Sequence, residues 1–341
     1  MMKLYAGMDL HSDNVYLGIM EAGSMRRIYK KRITNDLSLI LNNLEPFRDE
    51  IEGIVVESTY NWYWLVDGLM DAGYECIHLA NPSAFKQYEG LKHTDDKYDA
   101  FWLAHMLSLG VLPTGYIYPK KDRPIRDLLR KRSYLVRQRT SNILSLQSLF
   151  ERQACMRIKS NDIKRLKDDD VERLLKEEHV VMSAMANLKA FRFLEEQIKT
   201  IEKTVIRSMK LRKEFECLLT VPGIGNILAL TIMLEVGDIN RFAKVGNFSS
   251  YCRCVSSLRS SNGKSKGKGN SKNGNRYLAW AFVEAANFAK RYNAYFNTFY
   301  QKKAAKRNGV VAIKALSNKI SRACYYVMKD QVPFKEELLA S

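Results

Sequence analysis

The chain has 341 residues, of which 46% are hydrophobic and 27% charged. That is room for about two globular domains, and it excludes a disordered or low-complexity protein. A mean hydropathy of −0.31 without any long apolar run excludes a membrane span. Lysine and arginine total 55 against 37 acids, a net charge of +18, which calls for a polyanionic partner, since each phosphate neutralised releases condensed counterions. A membrane surface is the competing polyanion, but no basic amphipathic terminus or lipidation motif supports it. The six cysteines form no Cys-x-x-Cys pair, and Cys252 and Cys254 are spaced too closely for a zinc knuckle. No signal peptide precedes the first apolar run, so a reducing cytoplasm is the expected compartment.

The first ~115 residues read as α/β. Lys3–Leu10 and Asn14–Met20 are apolar-rich runs around a His-Ser-Asp turn, and Arg27–Ile33 alternates as an exposed third strand. A helix is expected over Leu37–Phe47, a buried central strand over Ile51–Glu57, a helix over Trp62–Ala72 and a strand over Tyr74–Leu79. Three consecutive strands followed by alternating strands and helices predict a mixed sheet flanked by helices. From Arg123 to about Lys210 the apolar spacing is that of long helices, with Leu194, Ile198, Ile201, Val205 and Met209 stepping like a coiled-coil seam. Lys159–Glu178 is charged and reads as a helical hairpin tip. Such an arm is either a spacer or a dimerisation element. Residues 214–300 form another compact unit with a basic, glycine- and serine-rich insert, and Tyr277–Tyr295 and Gly309–Met328 read as helices. The expected divisions are 1–120, 121–212 and 213–341.

Chemistry concentrates at four carboxylates. Asp9 ends the first strand and Glu57 the central one, while Asp96 and Asp99 stand three apart at a helix start and share its face. Hard oxygens from adjacent strand ends plus one helix suit a pair of magnesium ions clamping attacking and leaving phosphate oxygens. Each acid alone reads equally well as a turn residue or a cap. Asp95 adjoins Asp96, but only Asp96 keeps the three-residue step to Asp99.

Three further stretches suit nucleic acid. Val221–Gly225 (VPGIG) is a tight turn between helices whose Gly223 and Gly225 would let backbone N–H groups face a phosphate, or an ordinary interhelical turn. Arg259–Arg276 carries six basic residues (Arg259, Lys264, Lys266, Lys268, Lys272, Arg276) and no acid. It reads by composition as an adaptable loop along a nucleic-acid backbone, or as a solvated one. Arg126, Arg130 and Arg137 belong to a basic stripe on the first long helix, which suits either phosphate contact or a solvated face.

In order and spacing these motifs resemble the DEDD-type transposases of bacterial insertion sequences (insertion-sequence family 110 and its relatives). Gly7-Met8-Asp9-Leu10-His11 and Val55-Val56-Glu57-Ser58-Thr59 match the first two acids, and Lys92–Ala100 (KHTDDKYDA) matches the last two with one residue inserted after the threonine. Leu219–Gly225, Glu235–Phe242 and Asn270–Leu278 resemble the signature of the family's C-terminal domain. The resemblance implies an RNase H-like (RuvC-like) mixed-sheet domain, a helical coiled-coil arm, and a mainly helical C-terminal transposase domain with a helix-hairpin-helix-like turn. It also implies a serine nucleophile shortly before the basic loop. Counting from Ser256, where the family has proline, the nucleophile falls on Ser261, with Ser260 as the neighbouring choice.

The function implied by the resemblance is an RNA-guided DNA recombinase that excises and inserts a mobile element. Ser261 would form a covalent phosphoserine link, while Asp9, Glu57, Asp96 and Asp99 bind Mg2+. The implied partners are donor and target DNA, a structured guide (bridge) RNA, and further copies of the chain in a dimer or tetramer. A nucleoid-associated cytoplasmic location follows. Two alternatives remain: a RuvC-like junction endonuclease hydrolysing DNA with water, and a nucleic-acid-binding scaffold whose acids are structural.

Overall fold

The structure is a computed structural model describing residues 3–81, 96–209, 212–255, 258–262, 264–268 and 273–336. It comprises two compact units, Met1–Lys120 and Lys121–Ser341. No helix among the described residues is long and apolar enough to cross a membrane.

The first unit is built on a six-stranded sheet. Strands β1 (Leu4–Leu10), β2 (Asn14–Glu21), β3 (Arg27–Thr34), β4 (Ile51–Glu57), β5 (Ile77–Ala80) and β6 (Thr114–Gly115) lie in the order β3-β2-β1-β4-β5-β6. β1 to β3 form an antiparallel meander, β1, β4 and β5 run parallel, and β6 closes the edge antiparallel. The mixed sheet read from the sequence is thus present. β3 borders the sheet, and its Lys30, Lys31 and Arg32 are exposed, a common safeguard on an unpaired edge.

Strand alternation sorts the side chains onto two faces. Leu4, Ala6, Met8, Leu10, Ile54 and Val56 pack with Ile40 and Leu44 of α1 (Leu37–Leu44) and Leu65, Val66 and Leu69 of α2 (Tyr63–Asp71). Each fully buried Leu, Ile, Val or Met side chain among them contributes about 1.5–3 kcal/mol. The opposite face carries α3 (Asp96–Ser108), whose Phe101, Leu103 and Ala104 meet Tyr5, Met20, Val55 and Ala80. Glycines let α3 come this close. A Cβ on Gly7 would stand 1.8 Å from the Ala100 carbonyl oxygen, and one on Gly18 would press on the Phe101 ring at 3.2 Å.

Among the described residues the second unit is helical apart from one hairpin. α4 (Arg123–Ala154) and α7 (Glu178–Met209) lie lengthwise and antiparallel, fastened by Arg132–Glu202 and Arg139–Glu195 ion pairs. Short helices α5 (Ser160–Ile163) and α6 (Asp168–Leu175) fold over their far end, burying Ile163, Val171 and Leu175 against Leu146, Phe150 and Leu188. At the near end Leu129 and Val205 enter the core of the remaining helices. Those helices are α8 (Lys213–Leu219), α9 (Asn226–Val236), α10 (Val245–Tyr251), α11 (Arg276–Tyr292), α12 (Ala294–Lys306) and α13 (Gly309–Asp330). The helix expected to run through Tyr295 breaks at Asn293, whose side chain accepts from the Phe296 N–H and caps α12.

Where a loop was expected, β7 (Leu258–Ser261) and β8 (Lys264–Lys268) pair as a hairpin with Ser261 opposite Lys264. The cause is local: Asn262-Gly263 is a strong hairpin-turn dipeptide, and Asn262 takes the required positive φ of 52°.

Candidate active site

The same alternation that builds the first core displays its acids. Asp9 follows Gly7 by two residues and Glu57 follows Val55 by two, so both belong to the sheet face covered by α3. The β1–β4 register pairs Met8 with Val56, which sets Asp9 beside Glu57 at the strand ends. Asp99 precedes Ala100, the residue seated on Gly7.

The electrostatics follow from this crowding. Burial, a hydrogen bond with Asp9, and the charges of Asp9 and Asp99 push the Glu57 carboxyl up to about 8. Asp9 itself is 3% exposed, and His11 Nε2 lies 3.2 Å from its Oδ2. Asn35 and Asn61 donate side-chain N–H groups to the His11 carbonyl at 3.0 and 2.9 Å, fixing the chain as it leaves β1. These supporting residues lie outside the four-acid reading, although His11 stands within the motif that carries Asp9.

A carboxyl that keeps its proton beside another carboxylate, as Glu57 does beside Asp9, suits a divalent cation, and hard oxygens match magnesium. Among the described residues no group of three or more His, Cys, Asp or Glu side chains is gathered into a ready-made metal cage. Asp96 opens α3, but its side chain lies outside the described residues, as does Asp95 altogether.

In the second unit the candidates separate. Gly223 has φ of 88°, and a Cβ there would meet the Ala285 carbonyl oxygen at 2.3 Å, so this glycine serves the packing of the turn on α11. Gly225 precedes α9 with open space around it. Arg137, Lys264 and Arg276 are exposed, and Arg276 stacks over the Tyr277 ring at 5.0 Å. Ser261 and Ser260 lie on β7 and Lys266 and Lys268 on β8, with side chains outside the described residues; Lys272 lies outside them entirely.

Arg126 and Arg130 require a correction. Arg126 is 7% exposed with Nε 3.3 Å from Glu235 Oε2, and Arg130 grips the same carboxylate at 2.5 and 2.8 Å. Arg126 is an interior counter-ion and Arg130 a half-buried one, so both guanidinium groups are held by Glu235 rather than displayed as a solvated stripe. Burial raises the Glu235 pKa, but the hydrogen bonds and charge of Arg130, the charge of Arg126 and the Asn275 hydrogen bond together carry it below the usual carboxylate range.

Two family models match the chain. One, described as transposase and of the DEDD type of IS110 elements, covers residues 6–153; the other, described as the transposase IS116/IS110/IS902 family, covers residues 215–301. The chain belongs to the IS110-type DEDD transposase family. A putative transposase y4qE from Sinorhizobium fredii is 28% identical over 230 residues, 67% of this chain and 55% of the relative. The transposase for insertion sequence element IS1328 from Yersinia enterocolitica is 26% identical over 148 residues, 42% of this chain and 44% of the relative. The chain therefore spans about half the length of these curated relatives. The first IS110-type match contains Asp9, Glu57, Asp96 and Asp99, and the second contains Glu235, Ser261 and Asn275.

Proposed function

We propose that this chain is a DNA transposase that excises and inserts a mobile element, combining a carboxylate cluster with a serine nucleophile. The observation that carries the reading is the hydrogen bond between Asp9 and Glu57 at the ends of β1 and β4, with the charge of Asp99 acting on Glu57 and burial raising its carboxyl to about 8. Two carboxyls held together at neighbouring strand ends, one of them buried, do no packing work there, and a divalent cation is the partner their oxygens fit.

Asp9, Glu57, Asp99 and, through its place on α3, Asp96 would hold Mg2+, which when bound supplies positive charge toward phosphate oxygens. The Ser261 hydroxyl, with Ser260 as the neighbouring choice, attacks a DNA phosphorus. A serine–phosphate ester forms, one backbone P–O bond breaks, and the serine proton passes to the departing strand oxygen. A hydroxyl from the recipient strand then attacks the ester and restores the serine, so the energy of the phosphodiester is conserved. Lys264, Lys266, Lys268, Lys272, Arg276 and Arg137 would bind backbone phosphates, and the open space at Gly225, before α9, suits the same contact. A guide RNA that pairs with donor and target DNA, a multimer joining acids and serine from different copies, and a nucleoid-associated cytoplasmic location complete the reading.

The test is covalent capture on a plasmid carrying the gene and its flanking DNA. Ser261→Ala, with Ser260→Ala beside it, should abolish the protein–DNA adduct, and Asp9→Ala should abolish strand cleavage. Hydrolysis that survives Ser261→Ala in a wild type without adduct would favour a junction endonuclease. Full recombination by both the Asp9→Ala and serine variants would leave a scaffold.

A further inference from the structure

The segment that carries Ser260 and Ser261 leaves the helical core after α10 and returns at α11, and its two ends are fastened to each other. The Arg253 guanidinium donates to the Gly274 carbonyl at 3.0 and 2.7 Å, and the Asn275 N–H donates to the Tyr251 carbonyl at 2.6 Å. Gly274, at φ of 89°, lies so close that a Cβ would stand 2.4 Å from that carbonyl oxygen. Lys314 of α13 donates to the Arg253 carbonyl. This neck clasps the two ends of the segment that carries the β7–β8 hairpin.

Asn275 has two further duties. Its Oδ1 accepts from the Tyr277 and Leu278 N–H groups at 2.8 and 3.1 Å, capping α11. Its Nδ2 donates to Glu235 Oε2 at 2.7 Å. Glu235 is 2% exposed and is the one charged residue of the mostly apolar α9. Its carboxylate also takes Arg126 and the Nε and Nη2 of Arg130 from the first two turns of α4, and the Arg130 guanidinium lies 4.6 Å from the centre of the Tyr277 ring. Well-packed apolar side chains could fill such a place without the cost of desolvating charges. What they could not supply is a directional hold on one amide of the neck.

We propose that Glu235, set by Arg126 and Arg130, is a positioning residue that acts through Asn275 to fix the β7–β8 hairpin relative to the base of the α4–α7 arm. The inference rests on the proposed role of Ser261 only for its catalytic consequence. A serine that must meet a phosphorus in line tolerates little error in where its strand begins, and a neck tied to the arm transmits the arm's placement to that strand.

The polarity of the Glu235–Asn275 bond can be reversed as a test. Asn275→Asp keeps the cap oxygens but removes the amide donor and adds a like charge. Glu235→Gln removes the charge that gathers the arginines. The double variant restores one donor, one acceptor and one carboxylate, so it should recover what each single change loses. In the full chain, each single variant should slow recombination on the plasmid carrying the gene and its flanks by about tenfold or more, the worth of one hydrogen bond to a charged group. Each should also speed amide exchange in residues 258–268, and the double variant should return both readings close to wild type. Singles with wild-type exchange, or a double variant no better than the singles, would overturn the proposal. Should exchange follow the expected pattern while Ser260→Ala and Ser261→Ala recombine normally, the tether stands and the nucleophile assignment is what fails.

Discussion

Gly7 and Ala100 meet with no room for one added carbon, since a Cβ on Gly7 would stand 1.8 Å from the Ala100 carbonyl oxygen. The obstacle is helix backbone rather than a side chain that can swing aside, so α3 itself must lift. Gly7→Ala is expected to cost about 3 kcal/mol or more, the upper end for overpacking. Gly18→Ala, which meets only the Phe101 ring at 3.2 Å, should cost clearly less. Denaturant melts of the two variants check the order, and Gly7→Ala should also weaken magnesium-induced stabilisation because Asp99 moves with α3.

Stability without metal should fall as pH rises from about 4.5 to about 8. Glu57 keeps a proton in the fold up to about 8, whereas its ordinary value is 4.5. Between those values unfolding releases a proton, so the stabilisation is complete below the lower value and gone above the higher. In EDTA, the drop in melting temperature from pH 5 to pH 8.5 should be smaller for Glu57→Gln than for wild type. Magnesium added at pH 8 should raise the wild-type melting temperature and leave that of Glu57→Gln nearly unmoved. Equal pH slopes in the two proteins would show that the crowding of the acids has no energetic weight.

Arginines of α4 should divide into two classes. Arg126→Ala strips one partner from a buried carboxylate, a change that costs about 3–5 kcal/mol in comparable pairs, and it should melt the second unit early. Arg137→Ala leaves packing untouched because the side chain is exposed, so its melting temperature should stay within a degree or two, as for most surface changes. DNA affinity at fixed salt should fall for Arg137→Ala. Calorimetry and binding to a mixed-sequence duplex, run on both variants, decide the division.

Replacing Lys264, Lys266 and Lys268 together by glutamine should flatten the salt dependence of DNA binding. Each phosphate contact contributes about 0.9 to the slope of log affinity against log salt, so the slope should drop by about 2–3. The melting temperature should hardly change, since a stretch of lysine, serine and glycine has little apolar surface to bury. An unchanged slope would remove these lysines from the interface.

The VPGIG turn offers a cleaner pair still. Gly223→Ala should destabilise strongly, because a positive φ of 88° and a 2.3 Å approach to the Ala285 carbonyl oxygen both oppose a side chain. Gly225→Ala meets nothing and should melt like wild type. A loss of DNA affinity in the second variant would then report on phosphate contact alone.

The first unit was legible because its strands are short apolar runs with period two, and because period two also assigns faces. Once β1 and β4 are strands, Asp9 and Glu57 necessarily share a side with Gly7 and Val55. The hairpin β7–β8 was obscured by composition: glycine, serine and lysine suggest a loop, and the Asn262-Gly263 pair inside it carries the stronger local signal. Arg126 and Arg130 misled for another reason. A stripe of arginines looks the same in sequence whether it faces water or a buried acid, and only the partner tells. That partner had a visible mark, since Glu235 is the single charged residue in the apolar run Asn226–Val236. An ionised side chain in such a run demands counter-ions from elsewhere, and a search for them leads to the arginine stripe.

Because the strand pair emerges from a clasped neck, with entry and exit side by side, the stretch between Cys254 and Gly274 behaves as an interchangeable cassette. Lengthening it costs little, since closing a longer loop between fixed ends adds only a logarithmic entropy penalty. Descendants of this protein are therefore free to remodel the inserted stretch, in size and in charge, without renegotiating the helices that hold its ends.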